Sequence, residues 1–328
     1  MKILVVGGAG YIGSHMLKQL RRDGLTPVVI DDLGSGRREA VLGAELHVGD
    51  VGDASFLDHV LTQVQPAAVM HFASYIQVGE SVREPARYYR NNVGATQVLL
   101  DGMRAHGITR FIFSSTAAIF GDPSYTPIDE QHPCAPINPY GRSKWMVEQM
   151  LEDFDRAYGL RSVCLRYFNA AGADAEGELG ECHDPETHLI PLILQVASGR
   201  RAHIGVYGDD YPTADGTCVR DYIHVDDLCS AHALALRQLL AGGGSARYNL
   251  GNGQGFSVRE VIETARRVTG HPIPVQIGPR REGDPPVLVA DATQARTQLG
   301  WQPRHASLEE IVAHAWAWER RHAQWHGR

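Results

Sequence analysis

The first 170 residues alternate short apolar runs with stretches of helical periodicity. Runs rich in β-branched residues lie at 3–6, 28–31, 46–48, 68–72, 111–114 and 162–167. Each is short and nearly all apolar, as a parallel strand covered on both faces requires. Alternating strands and helices predict an α/β protein built on a doubly wound parallel sheet. After residue 170 the pattern loosens. Helical periodicity returns at 189–198, 225–240 and 258–268, with short strands between. This predicts a nucleotide-binding domain over 1–170 and a smaller mixed α/β substrate-binding domain over 171–328, with segments of the second able to cross back. Residues 172–186, rich in Gly, Ala and acid, read as loosely packed.

The first run leads into Gly7-Gly8-Ala9-Gly10-Tyr11-Ile12-Gly13, which opens a helix with apolar Ile12, Met16, Leu17 and Leu20. Glycines at 7, 10 and 13 let the backbone approach a pyrophosphate, and the helix start offers N–H donors and a positive dipole end. Asp31 closes the second run. A carboxylate there accepts both ribose hydroxyls and repels a 2′-phosphate. The segment therefore predicts a Rossmann-type site for NAD rather than NADP, with Arg37 and Arg38 nearby as a counterweight. With 35 glycines in the chain, a glycine turn alone says little. The order strand, glycines, helix, acid is what carries the signal.

A proline-rich loop leads into Tyr140-Gly141-Arg142-Ser143-Lys144. Asn138 as cap and Pro139 at the first helical position start a helix there. Tyr140 and Lys144 then share one face at i and i+4. A free phenol titrates near about 10 and is a poor base at neutral pH. A neighbouring ammonium and an oxidised nicotinamide favour the phenolate and lower that value. The chain has three lysines (Lys2, Lys18 and Lys144) among 31 basic residues, so one placed here is informative. An ammonium is a compact point charge that a guanidinium does not replace. The other reading is an exposed cation–aromatic pair. Upstream, Phe111–Thr116 runs off a strand end, where groups face the ligand crevice of an open α/β sheet. Thr116 is placed there to hydrogen-bond a substrate hydroxyl; the plainer alternative is a bond to nearby backbone.

Charge and cysteine content narrow the setting. A net charge of −7 argues against nucleic acid or an anionic membrane as partner. No apolar run approaches the roughly 20 residues that span a bilayer. The N-terminal run is too short for a signal peptide. Five cysteines (134, 164, 182, 218, 229) form no CxxC pair, so neither disulfides nor zinc are expected and a cytoplasmic location is. Cys182-His183-Asp184 with His188 has no recognised ligand spacing, so no metal is expected. His71 reads as structural.

The glycine loop, Asp31, the strand-end hydroxyl and Tyr-x-x-x-Lys together resemble the extended short-chain dehydrogenase/reductase family. Gly49-Asp50-Val51, His71-Phe72-Ala73, Val78-Gly79-Glu80-Ser81-Val82, Asn91-Asn92-Val93 and Arg166-Tyr167-Phe168-Asn169 sharpen the match. So do Tyr211-Pro212-Thr213, Val219-Arg220-Asp221-Tyr222-Ile223-His224 and Arg280-Arg281-Glu282-Gly283-Asp284. These resemble the UDP-glucose 4-epimerase group of that family over nearly the whole chain. The resemblance implies that NAD is lined by Gly7, Gly10, Tyr11, Ile12, Gly13, Asp31, Asp32, Leu33, Gly34, Ser35, Gly36, Asp50, Val51, Phe72, Ala73, Ser74, Asn92, Thr116, Tyr140, Lys144 and Phe168. It implies that a UDP-hexose is held by Thr116, Tyr140, Asn169, His188, Leu189, Gly205, Val206, Tyr207, Arg220, Arg281 and Asp284. Two arginines suit a diphosphate; their other reading is a salt bridge to Asp221 or Asp284. The group often has serine at Thr116 and lysine at Ile76, and Leu288 stands where a residue tuning N-acetyl acceptance occurs.

The implied activity is an isomerase's: NAD-dependent interconversion of UDP-glucose and UDP-galactose in galactose metabolism, through a transient 4-keto sugar, with NAD⁺ retained. The alternative is 4-epimerisation of UDP-xylose, UDP-glucuronate or a UDP-N-acetylhexosamine. A dehydratase would need acid–base groups after Thr116, where Ala117 and Ala118 stand. A non-catalytic NAD sensor would not need Tyr140 and Lys144. Apolar stripes at Val98, Leu99, Met103 and at Trp145, Met146, Met150 are matched in relatives by helices that pair across a two-fold axis, which implies a homodimer.

Overall fold

The structure, a computed structural model, describes residues 1–281 and 284–326. In chain order the strands are β1 (Lys2–Val6), β2 (Thr26–Asp31), β3 (Glu45–Val48), β4 (Ala68–His71), β5 (Arg110–Thr116), β6 (Arg161–Tyr167), β7 (Asn169–Ala171), β8 (Ile204–Tyr207), β9 (Val219–His224), β10 (Ala246–Leu250), β11 (Gly255–Ser257), β12 (Val275–Gly278) and β13 (Val287–Leu288). The α-helices are α1 (Tyr11–Arg22), α2 (Ala54–Val64), α3 (Val78–Arg83), α4 (Pro85–Tyr88), α5 (Thr96–Ala105), α6 (Pro139–Tyr158), α7 (Leu189–Ala197), α8 (Val225–Leu240), α9 (Val258–Thr269), α10 (Thr293–Gln298) and α11 (Leu308–His326).

Seven strands form one parallel sheet in the order β10-β6-β5-β4-β1-β2-β3. The doubly wound architecture read from the apolar runs is what is found. Alternation along β1 shows why both faces must be covered. Ile3 and Val5 enter a core with Met16, Leu17 and the apolar side of α8. Leu4 and Val6 enter the opposite one, with Leu57, Leu61, Leu99 and Val147. Helix ends follow local chemistry. Asp53 caps α2 by accepting N–H bonds from Ser55 and Phe56, and Ser257 with Glu260 forms a capping box on α9.

The later residues make two smaller sheets, β11-β9-β13 with β7 beside β9, and β12-β8. A third core lies between α7, α9 and α11. The chain does not stay on that side. Residues 225–250 return to the large sheet: α8 packs against α1, and β10 supplies the edge strand beside β6. A bridge between Ile128 and Ala290 ties the two sides again.

The acidic stretch 172–186 differs from its loose appearance in the sequence. Lys18 on α1 reaches Asp174 at 2.9 Å and Glu176 and Glu178 at 2.6 Å each. The Tyr11 hydroxyl donates to the Gly172 carbonyl at 2.8 Å, and Ala173 and Leu179 are buried. One ammonium gathers three carboxylates and draws the segment onto the large sheet's helix. No helix is long and apolar enough to cross a membrane among the described residues.

Candidate active site

Strand order reverses at β1: the chain first builds β2 and β3 on one side, then crosses to β4 on the other. Ligands bind outside the carboxyl ends of the strands at such a point. Gly7 sits there with φ +82°, and a Cβ on it would lie 2.5 Å from the Ala73 nitrogen. On Gly13 a Cβ would lie 2.1 Å from the Gly7 carbonyl oxygen, so the turn closes only without side chains. Gly10 faces open space apart from the Gly7 oxygen at 3.5 Å, and α1 starts with no side-chain cap. The N–H groups of its first turn are thus available to an anion.

Asp31 fastens this cradle. Its Oδ2 accepts the Ala9 N–H and its Oδ1 the Leu33 N–H, each at 2.9 Å. Burial raises its pKa against those two bonds. Asp32 and Asp50 orient the rim by accepting the Gly34 and Gly52 N–H groups, both at 2.8 Å. A close-approach turn, an uncapped helix start and a fixed carboxylate suit a dinucleotide.

Tyr140 and Lys144 lie in the first turns of α6, which begins as the sequence suggests: Asn138 accepts the Gly141 N–H at 2.8 Å and Pro139 is the first helical residue. Thr116 ends β5. Its Oγ1 accepts the Ala118 N–H at 3.1 Å, and its hydroxyl is near enough to Tyr140 to favour the phenolate. Lys144, only 2 % exposed, donates to Ser74 Oγ and to the Ser114 carbonyl, both at 2.8 Å. The phenol does not sit low, however. Burial holds Tyr140 above its ordinary value, with the Thr116 hydroxyl pulling the other way. Burial likewise pushes Lys144 down to about 7, with Glu148 opposing. The expected lowering by the ammonium alone is not met, because desolvation penalises both charges and Lys144 points at Ser74 and Ser114. An additional positive charge has to come with a ligand.

Other expected residues take definite places. Asn92 accepts the Tyr75 N–H at 2.9 Å and donates to Ser143 Oγ at 3.0 Å, joining the loop after β4 to α6. Phe168 and Leu288 both pack against the cluster of Ala117, Ile119, Phe120 and Ile128, which places β13 beside the segment that follows Thr116. Asn169 pairs in register with Tyr222, two residues along β9 from Arg220. Arg220 donates to Asp284 at 2.7 Å, the ion pair that was the alternative to substrate binding, and Arg281 stacks 4.0 Å from the Tyr207 ring centre. Asp221 instead accepts the Asn252, Gly253 and Ala290 N–H groups and serves the scaffold. Glu282 and Gly283 lie outside the described residues.

A profile of the NAD dependent epimerase/dehydratase family matches residues 3–251. The chain belongs to that family. A UDP-glucose 4-epimerase of Halalkalibacterium halodurans is 52% identical over 322 residues, 98% of this chain and 96% of the relative. The crystal structure of UDP-glucose 4-epimerase from Brucella ovis in complex with NAD superposes with TM-score 0.94 at 51% identity, covering 96% of this chain and 97% of that one. The Bifidobacterium longum enzyme in complex with NAD+ and UDP gives TM-score 0.94 at 38% identity, covering 98% of this chain and 99% of the other.

Within this epimerase/dehydratase frame, one group went unread in the sequence. Glu148, fully buried, takes Arg166 Nη2 at 2.6 Å and Nε at 3.0 Å, and the Ser115 hydroxyl at 2.6 Å. These bonds clamp α6 to β5 and β6 and so set the height of Tyr140 and Lys144. The signal was there: 140, 144 and 148 are successive i+4 positions on one helix face.

Proposed function

We propose that this chain is a UDP-glucose 4-epimerase, interconverting UDP-glucose and UDP-galactose with NAD. When bound, NAD supplies the reversible acceptor for the C4 hydride, which makes a 4-keto sugar the transient species. The chain's own residues bind, orient and move the proton. In the proposal Gly7, Gly10 and Gly13 with the start of α1 hold the pyrophosphate, and Asp31 takes a ribose. Tyr140 Oη removes the 4-hydroxyl proton and later returns it. Thr116 donates to that oxygen and stabilises the phenolate. Lys144 fixes the loop at Ser74 and adds positive charge nearby. Arg220 and Arg281 grip the diphosphate while the sugar turns to present its other face, as a near-neutral equilibrium requires.

The observation that carries this reading is Tyr140 one helical turn from a buried Lys144 at the start of α6, with the Thr116 hydroxyl at the end of β5 favouring its phenolate. Ala117 and Ala118 offer no acid or base for elimination. Two further proposals go with it. Met146, 42% exposed on α6, belongs to a face that a second copy would cover. The five cysteines, with no CxxC pair among them, suit the cytoplasm. The test is incubation of purified protein with UDP-galactose, followed by NMR. UDP-glucose should appear, and its absence from a folded, NAD-containing sample would refute the proposal.

A further inference from the structure

The irregular segment between β7 and α7 carries a second concentration of chemistry. We propose that Glu181, His183, Glu186 and His188 form a binding site for one divalent transition-metal ion of the Zn²⁺ class. Their spacing along the chain follows no helix or hairpin. The fold brings them together nonetheless, with one ligand atom from each lying within 4.8 Å of the others.

Three of the four separations lie close to those of a tetrahedron, and the fourth is a direct hydrogen bond that the ion would open. Bonds of about 2.0 Å at a tetrahedral centre place neighbouring ligand atoms roughly 3.3 Å apart. His183 Nδ1 lies 3.1 Å from Glu181 Oε1 and 3.7 Å from Glu186 Oε2. His188 Nδ1 lies 3.4 Å from Glu186 Oε1 and 2.5 Å from Glu181 Oε1. Both imidazoles present the same nitrogen to the same two carboxylates, and both carboxylates are nearly covered (5% and 6% exposed).

Surrounding bonds hold the ligands in place. Glu186 Oε1 accepts the Thr187 and His188 N–H groups at 2.7 and 2.9 Å. The Glu181 carbonyl accepts the Trp318 indole N–H from α11 at 2.9 Å. His183 meets the edge of Tyr11 with ring centres 6.4 Å apart. Partners of this kind orient metal ligands. Two imidazoles with two carboxylates suit Zn²⁺ over Mg²⁺ or Ca²⁺, which prefer oxygen alone. Four protein ligands leave no open position, so the role is structural, and it takes the His188 imidazole away from the substrate contact that the resemblance implies. The ion would pin the segment between β7 and α7 against Tyr11 of α1.

The test uses the full chain and Zn²⁺ alone. Chelator-stripped, dialysed protein is titrated with Zn²⁺ against a fluorescent competitor, and Co²⁺ is then substituted. One equivalent should bind, with the visible bands of four-coordinate Co²⁺ and no thiolate charge-transfer band. His183→Ala and Glu186→Gln should each weaken Zn²⁺ at least about 100-fold. Failure of the wild-type chain to compete for Zn²⁺ overturns the site without reference to any variant. Undiminished binding in folded His183→Ala, or loss of binding in Cys182→Ser, overturns the ligand set. Each readout is independent of epimerase activity.

Discussion

Replacing Thr116 by valine keeps the shape of the β5 terminus and removes one hydroxyl. In the structure that hydroxyl accepts the Ala118 N–H and favours the Tyr140 phenolate. Its proton therefore stabilises the Tyr140 oxygen most when that oxygen is ionised. A hydrogen bond to a charged group is worth about 1.5–3 kcal/mol. At about 1.4 kcal/mol per decade, losing it should raise the working pKa of Tyr140 by roughly one to two units. The base must be deprotonated to act. The acid limb of the kcat–pH profile should therefore move to higher pH by the same amount, and kcat at neutral pH should fall roughly 10- to 150-fold. The assay is UDP-galactose conversion over a pH series, with retained NAD checked in each sample. Thr116→Ser keeps the hydroxyl and should stay close to wild type. A Thr116→Val enzyme with an unmoved acid limb would refute the reasoning, even if its overall rate were lower.

Tyr140→Phe should lower turnover by at least about 100-fold while NAD stays bound, as activity and the absorbance of released cofactor would show. Gly13→Ala forces a methyl to 2.1 Å from the Gly7 carbonyl, so NAD retention and melting temperature should both drop. Lys144, held down to about 7 by burial, gives a pH signature in cofactor-free protein. Above that value the folded chain has released this proton while the unfolded chain keeps it to about 10.4. Unfolding then takes up a proton, so this group makes stability rise with pH across about 7 to 9.5. Thermal melts of Lys144→Met over that window should show a flatter rise than wild type.

Much of the large sheet was legible because covered parallel strands are apolar on both faces, as Ile3, Leu4, Val5 and Val6 are. The cofactor cradle and the Tyr140–Lys144 pair were legible because each depends on spacing within one turn or helix. What escaped depends on distance along the chain. Lys18 and Asp174 are 156 residues apart, so the acidic segment looked unattached. Strand β10 carries Arg247 and Asn249, which hide a strand whose last three residues are buried. Glu148 looks like any helix-surface carboxylate until Arg166 and Ser115 close on it. The altered state of Tyr140 also could not be read, since desolvation is a property of the packed site.

Because β10 comes from late in the chain yet finishes the large sheet, the first 170 residues do not complete that sheet. A fragment ending near residue 170 would leave the outer side of β6 with unpaired backbone amides and carbonyls, the situation that invites strand addition and aggregation. Limited proteolysis in the 172–188 segment should for the same reason give two pieces that co-purify. The polypeptide is laced across its own cleft, and whatever freedom a turning sugar needs has to be found inside that lacing.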